Sequence, residues 1–353
     1  MSKQILILTD YRDQFWLTVR HKQASYHVSD ISNWFKSHGY QVVIKQFSEI
    51  DFNNENYSGW NVIYQSTEDP YLLYNGYIVD CLLGLIQQGA ILIPGFIYNR
   101  AHHNKVFMEL LRSTSSNEAI KGIKSRIFGT YDEYVRFCNS NASFFPQIVK
   151  ASEGSGSKNV IKIDSIKDIS KAKKLMVHHD ILFAIKDKIK AYLPKTYPNF
   201  KAQTNLRRKI IVQNFIDGLS CDYKVLVFDN KYYVLRRGVR PRDFRASGSG
   251  LFEFPSDISD GFLDFARCAF QSFVAPFISM DIAQKNEKYY LIEFQFVSFG
   301  TFALEKAHWH FEYINGSWEK ISSQDNLEEE FCKAIDAFIN KQSVEKDIAP
   351  FAK

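Results

Sequence analysis

Residues 147–163 read QIVKASEGSGSKNVIKI, a stretch that combines two apolar runs, a lysine and a loop of small residues. Two apolar runs, 147–149 and 160–163, have the composition of paired strands and flank a loop of glycine and serine. Lys150 stands at the end of the first run. Because glycine has no Cβ, such a loop brings backbone N–H groups close to phosphate oxygens, and Lys150 would add positive charge there. A flexible hairpin tip with an exposed lysine is an alternative explanation of the same residues. The loop is not a P-loop, because it does not end in Gly-Lys-Ser/Thr.

Strand and helix patterns alternate in the hundred residues that come first. Short apolar runs predict strands at 5–8, 41–44, 60–64 and 90–93. Helical spacing predicts helices before Gly39 and over 71–86, the second ending near Gly89. This alternation is typical of βαβ units, so a small doubly wound sheet is expected over residues 1–98.

The elements predicted from residue 105 onwards group strands with strands in the last third of the chain. Helices are predicted at 105–111, 180–191, 262–274 and 327–339, and strands at 126–128, 209–212, 223–228, 231–235, 278–283 and 288–296. The expected fold class is therefore α/β followed by α+β. Three domains are expected, at residues 1–100, 101–215 and 216–345.

Composition excludes several classes of protein. With 45% hydrophobic and 24% charged residues over 353 positions, the chain is too apolar to be disordered. Five cysteines without a CxxC pair argue against a zinc knuckle or a disulfide framework and favour a reducing compartment. The first apolar run is too short for a signal peptide, and no run approaches the roughly 20 apolar residues of a membrane helix. A cytoplasmic protein without a membrane partner is expected.

A pair of carboxylates near the C-terminus forms the second candidate site. The strand over 289–296 alternates, so that Glu293 and Gln295 share one face, and Asp281 lies on the partner strand. Asp281 and Glu293 share a face only if the connecting loop has an odd count or a bulge intervenes. Converging oxygen ligands of this kind suit Mg²⁺ on a triphosphate. Solvated acids on an edge hairpin are the alternative.

An arginine-rich segment is the third candidate. Five arginines fall within residues 236–245, and small residues follow. Guanidinium groups bind carboxylate or phosphate through two parallel hydrogen bonds, so the segment favours an anion-binding site. A basic surface loop that touches nucleic acid is the alternative. The net charge of only +5 and the acidic, apolar sequence after Gly250 disfavour nucleic acid as a partner.

The strand end at 210–218 is the fourth candidate. Its backbone N–H and C=O groups could form hydrogen bonds with the edge of a purine, and Asp222 beyond it could accept hydrogen bonds from ribose hydroxyls. A strand end without any binding function would have the same sequence features.

The order of these four features resembles the ATP-grasp superfamily, and within it the ligases that add glutamate to a ribosomal protein. The resemblance covers residues from about 104 to 300. It implies a two-lobed core with ATP between the lobes, preceded by the βαβ domain.

The resemblance implies a role for each residue. Lys105 and Lys150 would bind phosphates, and the mobile loop over them would be Glu153, Gly154, Ser155, Gly156 and Ser157. The adenine pocket would contain Gln213, Asn214 and Phe215, and the ribose would meet Asp222. The magnesium ligands would be Asp281, Glu293 and Gln295, although the family usually has asparagine at the last position. Arg245 would act with Lys150 in catalysis, and the substrate residues would be Arg237, Arg240, Arg242, Ser247 and Gly248.

The implied function is an ATP-dependent carboxylate–amine ligase that forms an amide through an acyl phosphate. An amino acid, a peptide or an acidic sugar would be the acceptor, and ATP and Mg²⁺ the cofactors. Two alternatives stay open: a kinase of the same fold, and a nucleotide-binding protein without turnover. Many members of the superfamily are homodimers, but no interface can be read from this sequence.

Overall fold

A computed structural model describes residues 3–16, 26–67, 69, 72–154, 159–177, 181–219, 221–239 and 250–348, with the backbone alone at 181–183 and 342–348. The chain divides into two compact units. The first, here called the terminal unit, comprises residues 1–102, 116–120 and 220–353. The second, the inserted unit, comprises residues 103–115 and 121–219.

The terminal unit begins with a four-stranded parallel sheet of order β2-β1-β3-β4. Its strands are β1 (Gln4–Thr9), β2 (Gln41–Gln46), β3 (Asn61–Tyr64) and β4 (Ile91–Ile93), and its helices are α1 (Val28–Ser37), α2 (Leu73–Gln87) and α3 (Phe96–Ala101). The apolar run 5–8 is completely buried, as a central parallel strand requires. The predicted βαβ alternation is confirmed.

Gly39 ends α1 as the sequence predicted. Its backbone φ of +81° lies in the left-handed region, which a side chain disfavours. Its N–H donates to the Lys36 carbonyl (3.1 Å), and the Tyr40 N–H donates to the Phe35 carbonyl (3.0 Å). These two hydrogen bonds satisfy the last carbonyl groups of the helix and turn the chain into β2.

The inserted unit contains an antiparallel sheet of order β5-β8-β6-β7. Its strands are β5 (Ser125–Thr130), β6 (Gln147–Ala151), β7 (Val160–Ile163) and β8 (Arg207–Asn214), and its helices are α4 (Lys105–Thr114), α5 (Tyr131–Ser140), α6 (Lys173–Met176) and α7 (Ile181–Ala191). One face of this sheet packs on the core cluster that contains Tyr134. Helix α5 was not predicted, although Thr130 and Glu133 form a capping box at its start.

The last third of the chain returns to the terminal unit as a seven-stranded antiparallel sheet of order β13-β12-β9-β10-β14-β15, with β11 paired to β10. The strands are β9 (Cys221–Phe228), β10 (Lys231–Gly238), β11 (Phe252–Glu253), β12 (Phe277–Lys285), β13 (Lys288–Gln295), β14 (Trp309–Ile314) and β15 (Ser317–Ser322). The helices are α8 (Asp260–Gln271), α9 (Phe302–Lys306) and α10 (Leu327–Ile348). The β14–β15 hairpin was missed in the sequence, although Asn315 and Gly316 supply its tight turn with two positive φ angles.

Aromatic side chains join the two sheets of the terminal unit. The ring of Trp16 lies 4.9 Å from Phe277 and 5.0 Å from Phe331, between ring centroids, and its indole N–H donates to the Tyr64 carbonyl (3.1 Å). Large aromatic rings bury more apolar surface than other side chains. The parallel sheet and the seven-stranded sheet therefore share one core. No helix among the described residues combines the length and apolarity needed to cross a membrane.

Replacing Gly39 by alanine is expected to lower the free energy of unfolding by about 1 kcal/mol, because a Cβ is strained at positive φ. Gly76→Ala is the matched control, since Gly76 lies within α2 with open space around its Cα. There alanine should raise the free energy of unfolding by up to about 1 kcal/mol. Urea unfolding of both variants measures the difference, and equal effects would contradict the assigned helix end.

Candidate functional site

Lys150 and Gln213 lie on the same face of the inserted unit's sheet. Lys150 pairs with Ile211, and Gln213 pairs with Ile148, so the two polar side chains are diagonal neighbours on β6 and β8. Both are buried, with 7% and 3% of their surface exposed. The opposite face is the apolar core that contains Val149. A cation and an amide are thus brought together on the sheet face opposite Val149, beside the buried side chains of Ile148 and Ile211.

The start of α4 is tied to the loop that follows β6. The Asn104 side chain accepts hydrogen bonds from the Phe107 N–H (3.3 Å) and from the Ser152 hydroxyl (3.0 Å). The Lys105 N–H donates to the Ser152 carbonyl (2.9 Å), and its ammonium group donates to the Gly154 carbonyl (2.7 Å). Lys105 therefore lies against the loop that the sequence assigned to phosphate binding.

The described part of this loop is held by charge and by backbone conformation. Glu153 forms ion pairs with Arg208 (3.3 Å) and Lys209 (4.0 Å). Gly154 has a φ of +109°, and a Cβ there would lie 2.7 Å from the Asn159 amide nitrogen. Only glycine fits this position without a shift of the neighbouring side chain. The predicted loop residues Ser155, Gly156 and Ser157 lie outside the described residues.

Two charged side chains on α4 were missed in the sequence. The Gln213 amide nitrogen donates to Glu109 Oε1 (2.9 Å), and Glu109 Oε2 accepts from the Arg112 guanidinium. Glu109 and Arg112 are 1% and 2% exposed. Their opposite charges at a spacing of three on one helix were the available signal. Gln213 is therefore anchored by a buried ion pair.

The next two predicted adenine residues have structural contacts of their own. The Asn214 side-chain oxygen accepts from the Lys124 N–H (2.7 Å), and the Phe215 N–H donates to the Pro146 carbonyl (3.1 Å). The ammonium group of Lys162 lies 4.4 Å from the centroid of the Phe215 ring. Lys162 pairs with Ile148, which places a second lysine on the Lys150 face that the sequence did not single out.

In the terminal unit, a β-bulge brings Asp281 and Glu293 together. Ile282 pairs with Leu291, but Asp281 pairs with Glu293, so that Ile292 is the extra residue on β13. Without it, Glu293 would face the opposite side of the sheet. Gln295 lies across from Ser279 on the same face. The bulge that the sequence named as one condition for a shared face is present.

Asp281 also belongs to a buried charge cluster. Arg237 donates to Asp222 through two nitrogens (2.6 and 2.9 Å), and its Nη2 lies 2.9 Å from Asp281 Oδ2. Lys224 Nζ lies 3.5 Å from Asp281 Oδ1. Arg237 and Asp222, which the resemblance assigned to substrate and ribose, are therefore bonded to each other. The other predicted residues of the arginine-rich segment, Arg240, Arg242, Arg245, Ser247 and Gly248, lie outside the described residues.

The two carboxyl groups around Arg237 have opposite pKa shifts. Burial raises the pKa of Asp222 from 3.8 to about 6, and the negative charge of Asp281 adds to this shift, because together they outweigh the opposing charge of Arg237. Burial also acts on Asp281, but the charges of Arg237 and Lys224 outweigh it and lower the pKa to about 2. The carboxyl group of Asp222 thus stabilises the folded state at low pH, and this contribution is lost as the pH rises through 6. The carboxyl group of Asp281 stabilises the folded state above pH 3.8, and its contribution is lost as the pH falls towards 2.

The donor set on β12 and β13 fits Mg²⁺. Asp281 Oδ1 is buried and has no hydrogen-bond partner in the described part of the chain, although Lys224 is near. Carboxylate and amide oxygens from Asp281, Glu293 and Gln295 are hard donors of the kind Mg²⁺ prefers. The described residues, however, contain no group of three or more Asp, Glu, His or Cys side chains that could by themselves hold a metal ion. A magnesium ion here would need water or a ligand to complete its shell.

Replacing Arg237 by methionine should lower the free energy of unfolding by about 3–5 kcal/mol at pH 8, because two buried carboxylates lose their counter-charge. The loss should shrink towards pH 5, since without Arg237 the pKa values of both carboxyl groups rise and the groups become protonated in the folded state. Urea unfolding at the two pH values measures the effect.

The control is Arg236→Met. Arg236 forms an ion pair with Glu253 (2.7 Å), with both side chains exposed to solvent. Its removal should cost at most about 1 kcal/mol. A similar, pH-independent loss in both variants would contradict the buried charge cluster.

Comparison with known proteins gives a structural likeness. No family model matches the sequence, and no curated protein matches it. The structure of the D-cycloserine synthetase DcsG aligns with a TM-score of 0.56 at 11% identity, over 95% of this chain and 99% of that one. The ATP-grasp ligase PsnB, complexed with a phosphomimetic variant of its minimal precursor, Mg and ADP, aligns with a TM-score of 0.50 at 14% identity, over 96% and 98%. The chain therefore has a mixed α/β fold similar to the folds of DcsG and of the ATP-grasp ligase PsnB.

Proposed function

We propose that this protein is an ATP-dependent carboxylate–amine ligase that forms an amide through an acyl phosphate. The observation on which the proposal rests is the shared face of β6 and β8, where buried Lys150 lies diagonal to buried Gln213. A cation and a hydrogen-bonding amide on one sheet face suit the phosphate and base ends of a nucleotide. The fold, shared with ligases, supports the same reaction class.

The phosphates of ATP would lie against Lys150, Lys105 and the loop from Glu153 to residue 157. Lysine is a compact charge that neutralises phosphate oxygens, and the loop's glycines allow backbone N–H groups to approach them. Gln213, Asn214 and Phe215 would border the adenine. Asp222 stays a prediction for the ribose, with the added condition that its contacts to Arg237 rearrange.

Magnesium would be held by Asp281, Glu293 and Gln295. Bound there, it would neutralise negative charge on the phosphate oxygens. PsnB, which has a similar fold, contains Mg and ADP in its structure. Arg237 and Lys224 would keep Asp281 ionised, and thus able to act as a ligand, over the physiological pH range.

The reaction would proceed in two displacements. An oxygen of the substrate carboxylate attacks the γ-phosphorus, the bond to the β-phosphate oxygen breaks, and ADP leaves. The amine then attacks the acyl carbon, phosphate leaves with the C–O bond electrons, and the amine loses a proton. Both steps need positioning and charge neutralisation rather than covalent help from the protein. Lys150 and Arg245 would stabilise the transferring phosphoryl group.

The substrate is assigned only by class. Arg237, Arg240, Arg242, Ser247 and Gly248 would lie on the acceptor side, which favours an amino acid, a peptide or an acidic sugar. The similar folds include a synthetase of the small molecule D-cycloserine and a ligase complexed with a precursor. All five cysteines are free, which supports a reducing compartment such as the cytoplasm.

Lys150→Met is expected to abolish ADP release, because a buried methionine leaves the phosphates without their counter-charge. Coupled detection of ADP over a panel of carboxylic acids and amines measures it, and the melting temperature checks the fold. Lys171→Met is the control, since Lys171 forms an ion pair with Asp168 (2.7 Å), half-exposed, elsewhere in the inserted unit. Wild-type ADP release by the Lys150 variant would show that Lys150 is not part of the active site.

The same assay separates a ligase from a kinase. A ligase should release ADP in proportion to amide, and only slowly without an amine. ADP formed at the full rate with a carboxylate or alcohol alone would instead indicate a kinase of the same fold.

Glu293→Gln should raise the magnesium concentration needed for half-maximal ADP release at least about tenfold, because a charged oxygen ligand becomes a neutral one. Glu287→Gln, at the exposed tip of the same hairpin, is the matched control and should behave as wild type. An unchanged magnesium dependence in the Glu293 variant would refute metal binding by this side chain.

A further inference from the structure

The buried ion pair of Glu109 and Arg112 is unexplained by phosphate or metal binding. Both residues lie on α4, three positions apart, and both are at least 98% buried. Taking two charges out of water is costly, and apolar residues of similar size often serve stability as well or better. Such a pair is therefore expected to fix the orientation of a neighbouring group, and the hydrogen bond between Glu109 and Gln213 indicates which group that is.

That hydrogen bond fixes the orientation of the Gln213 amide. A carboxylate in an ion pair only accepts hydrogen bonds, and the Glu109 carboxylate is paired with the Arg112 guanidinium. The Gln213 group that faces Glu109 Oε1 at 2.9 Å must therefore be the NH₂ group. Its carbonyl oxygen must point away from Glu109. This orientation follows from chemistry and does not depend on how the two similar ends of the amide are assigned.

We propose that Glu109, held by Arg112, is a positioning residue that makes the nucleotide site specific for a 6-aminopurine. This inference rests on the proposed function, since it assumes that a nucleoside triphosphate binds along the Lys150 face. The carbonyl oxygen of Gln213 accepts a hydrogen bond from the 6-amino group of adenine. A 6-oxopurine such as hypoxanthine or guanine places an oxygen against that oxygen, and the Gln213 amide cannot turn over to donate instead.

The same helix positions both ends of the nucleotide. Lys105 is the first residue of α4, and Glu109 stands four residues later, one turn along the same side. Lys105 is tied to the loop after β6, and Glu109 to β8. Because Gln213 is a diagonal neighbour of Lys150, the base and phosphate contacts share a single rigid framework.

The test is equilibrium binding of ATP and ITP, measured by titration calorimetry with Mg²⁺ and without acceptor substrate. ITP differs from ATP by having the 6-oxo group. The wild type should bind ATP at least about tenfold more tightly than ITP, the ratio that one well-placed hydrogen bond sustains. In Glu109→Gln the ratio should fall towards one, mainly through tighter ITP binding. A glutamine at 109 can donate to the carbonyl oxygen of a reversed Gln213 amide. The NH₂ group of Gln213 can then face the 6-oxo group of ITP.

Glu133→Gln is the matched control. Glu133 caps α5 in the same unit, and glutamine also serves in a capping box, so the ATP-to-ITP ratio should stay at the wild-type value. A second variant, Gln213→Met, removes the acceptor directly and should also bring the ratio towards one.

Three results would overturn the inference. They are a wild type that binds ATP and ITP equally, a Glu109→Gln variant that keeps the full preference, and a Gln213→Met variant that keeps it. Each of these leaves ATP binding, and hence the proposed function, intact. A wild type that binds neither nucleotide would overturn the proposed function and this inference together.

Discussion

Strand register is the constraint on which both candidate sites depend. Side chains alternate between the two faces of a sheet, so a shift of one residue would send a functional group to the wrong side. On β13 the single extra residue Ile292 places Glu293 across from Asp281. On β6 and β8 the register places Lys150 diagonal to Gln213 and directs Val149 into the core.

Buried charge is concentrated at the same places. In the inserted unit Glu109 pairs with Arg112, and in the terminal unit Arg237 bridges Asp222 and Asp281. Such clusters contribute less to stability than well-packed apolar groups would, but they fix side chains in one orientation when every hydrogen bond is made. If the chain binds a polyanionic ligand as proposed, fixed side chains would serve that binding at some cost in stability.

Local signals in the sequence predicted much of the fold, and long-range pairing accounts for most of the rest. The four parallel strands and the helix end at Gly39 follow from apolar runs and one glycine. Helix α5 and the β14–β15 hairpin were missed although their cap and turn residues are readable. The register bulge could only be stated as a condition. The contact of Glu109 with Gln213, 104 positions away, could not be read at all, because it depends on how a helix packs against a distant strand.

The face of β6 and β8 that contains Lys150 is the proposed nucleotide-binding surface. Amide hydrogen exchange with and without ATP and Mg²⁺ tests it most directly, because it reports on each strand without requiring the substrate. Exchange should slow over residues 147–151 and 207–214 when ATP is bound and stay unchanged over the β14–β15 hairpin at 309–322. Unchanged exchange in β6 and β8 at saturating ATP, or protection at the hairpin alone, would contradict this proposal.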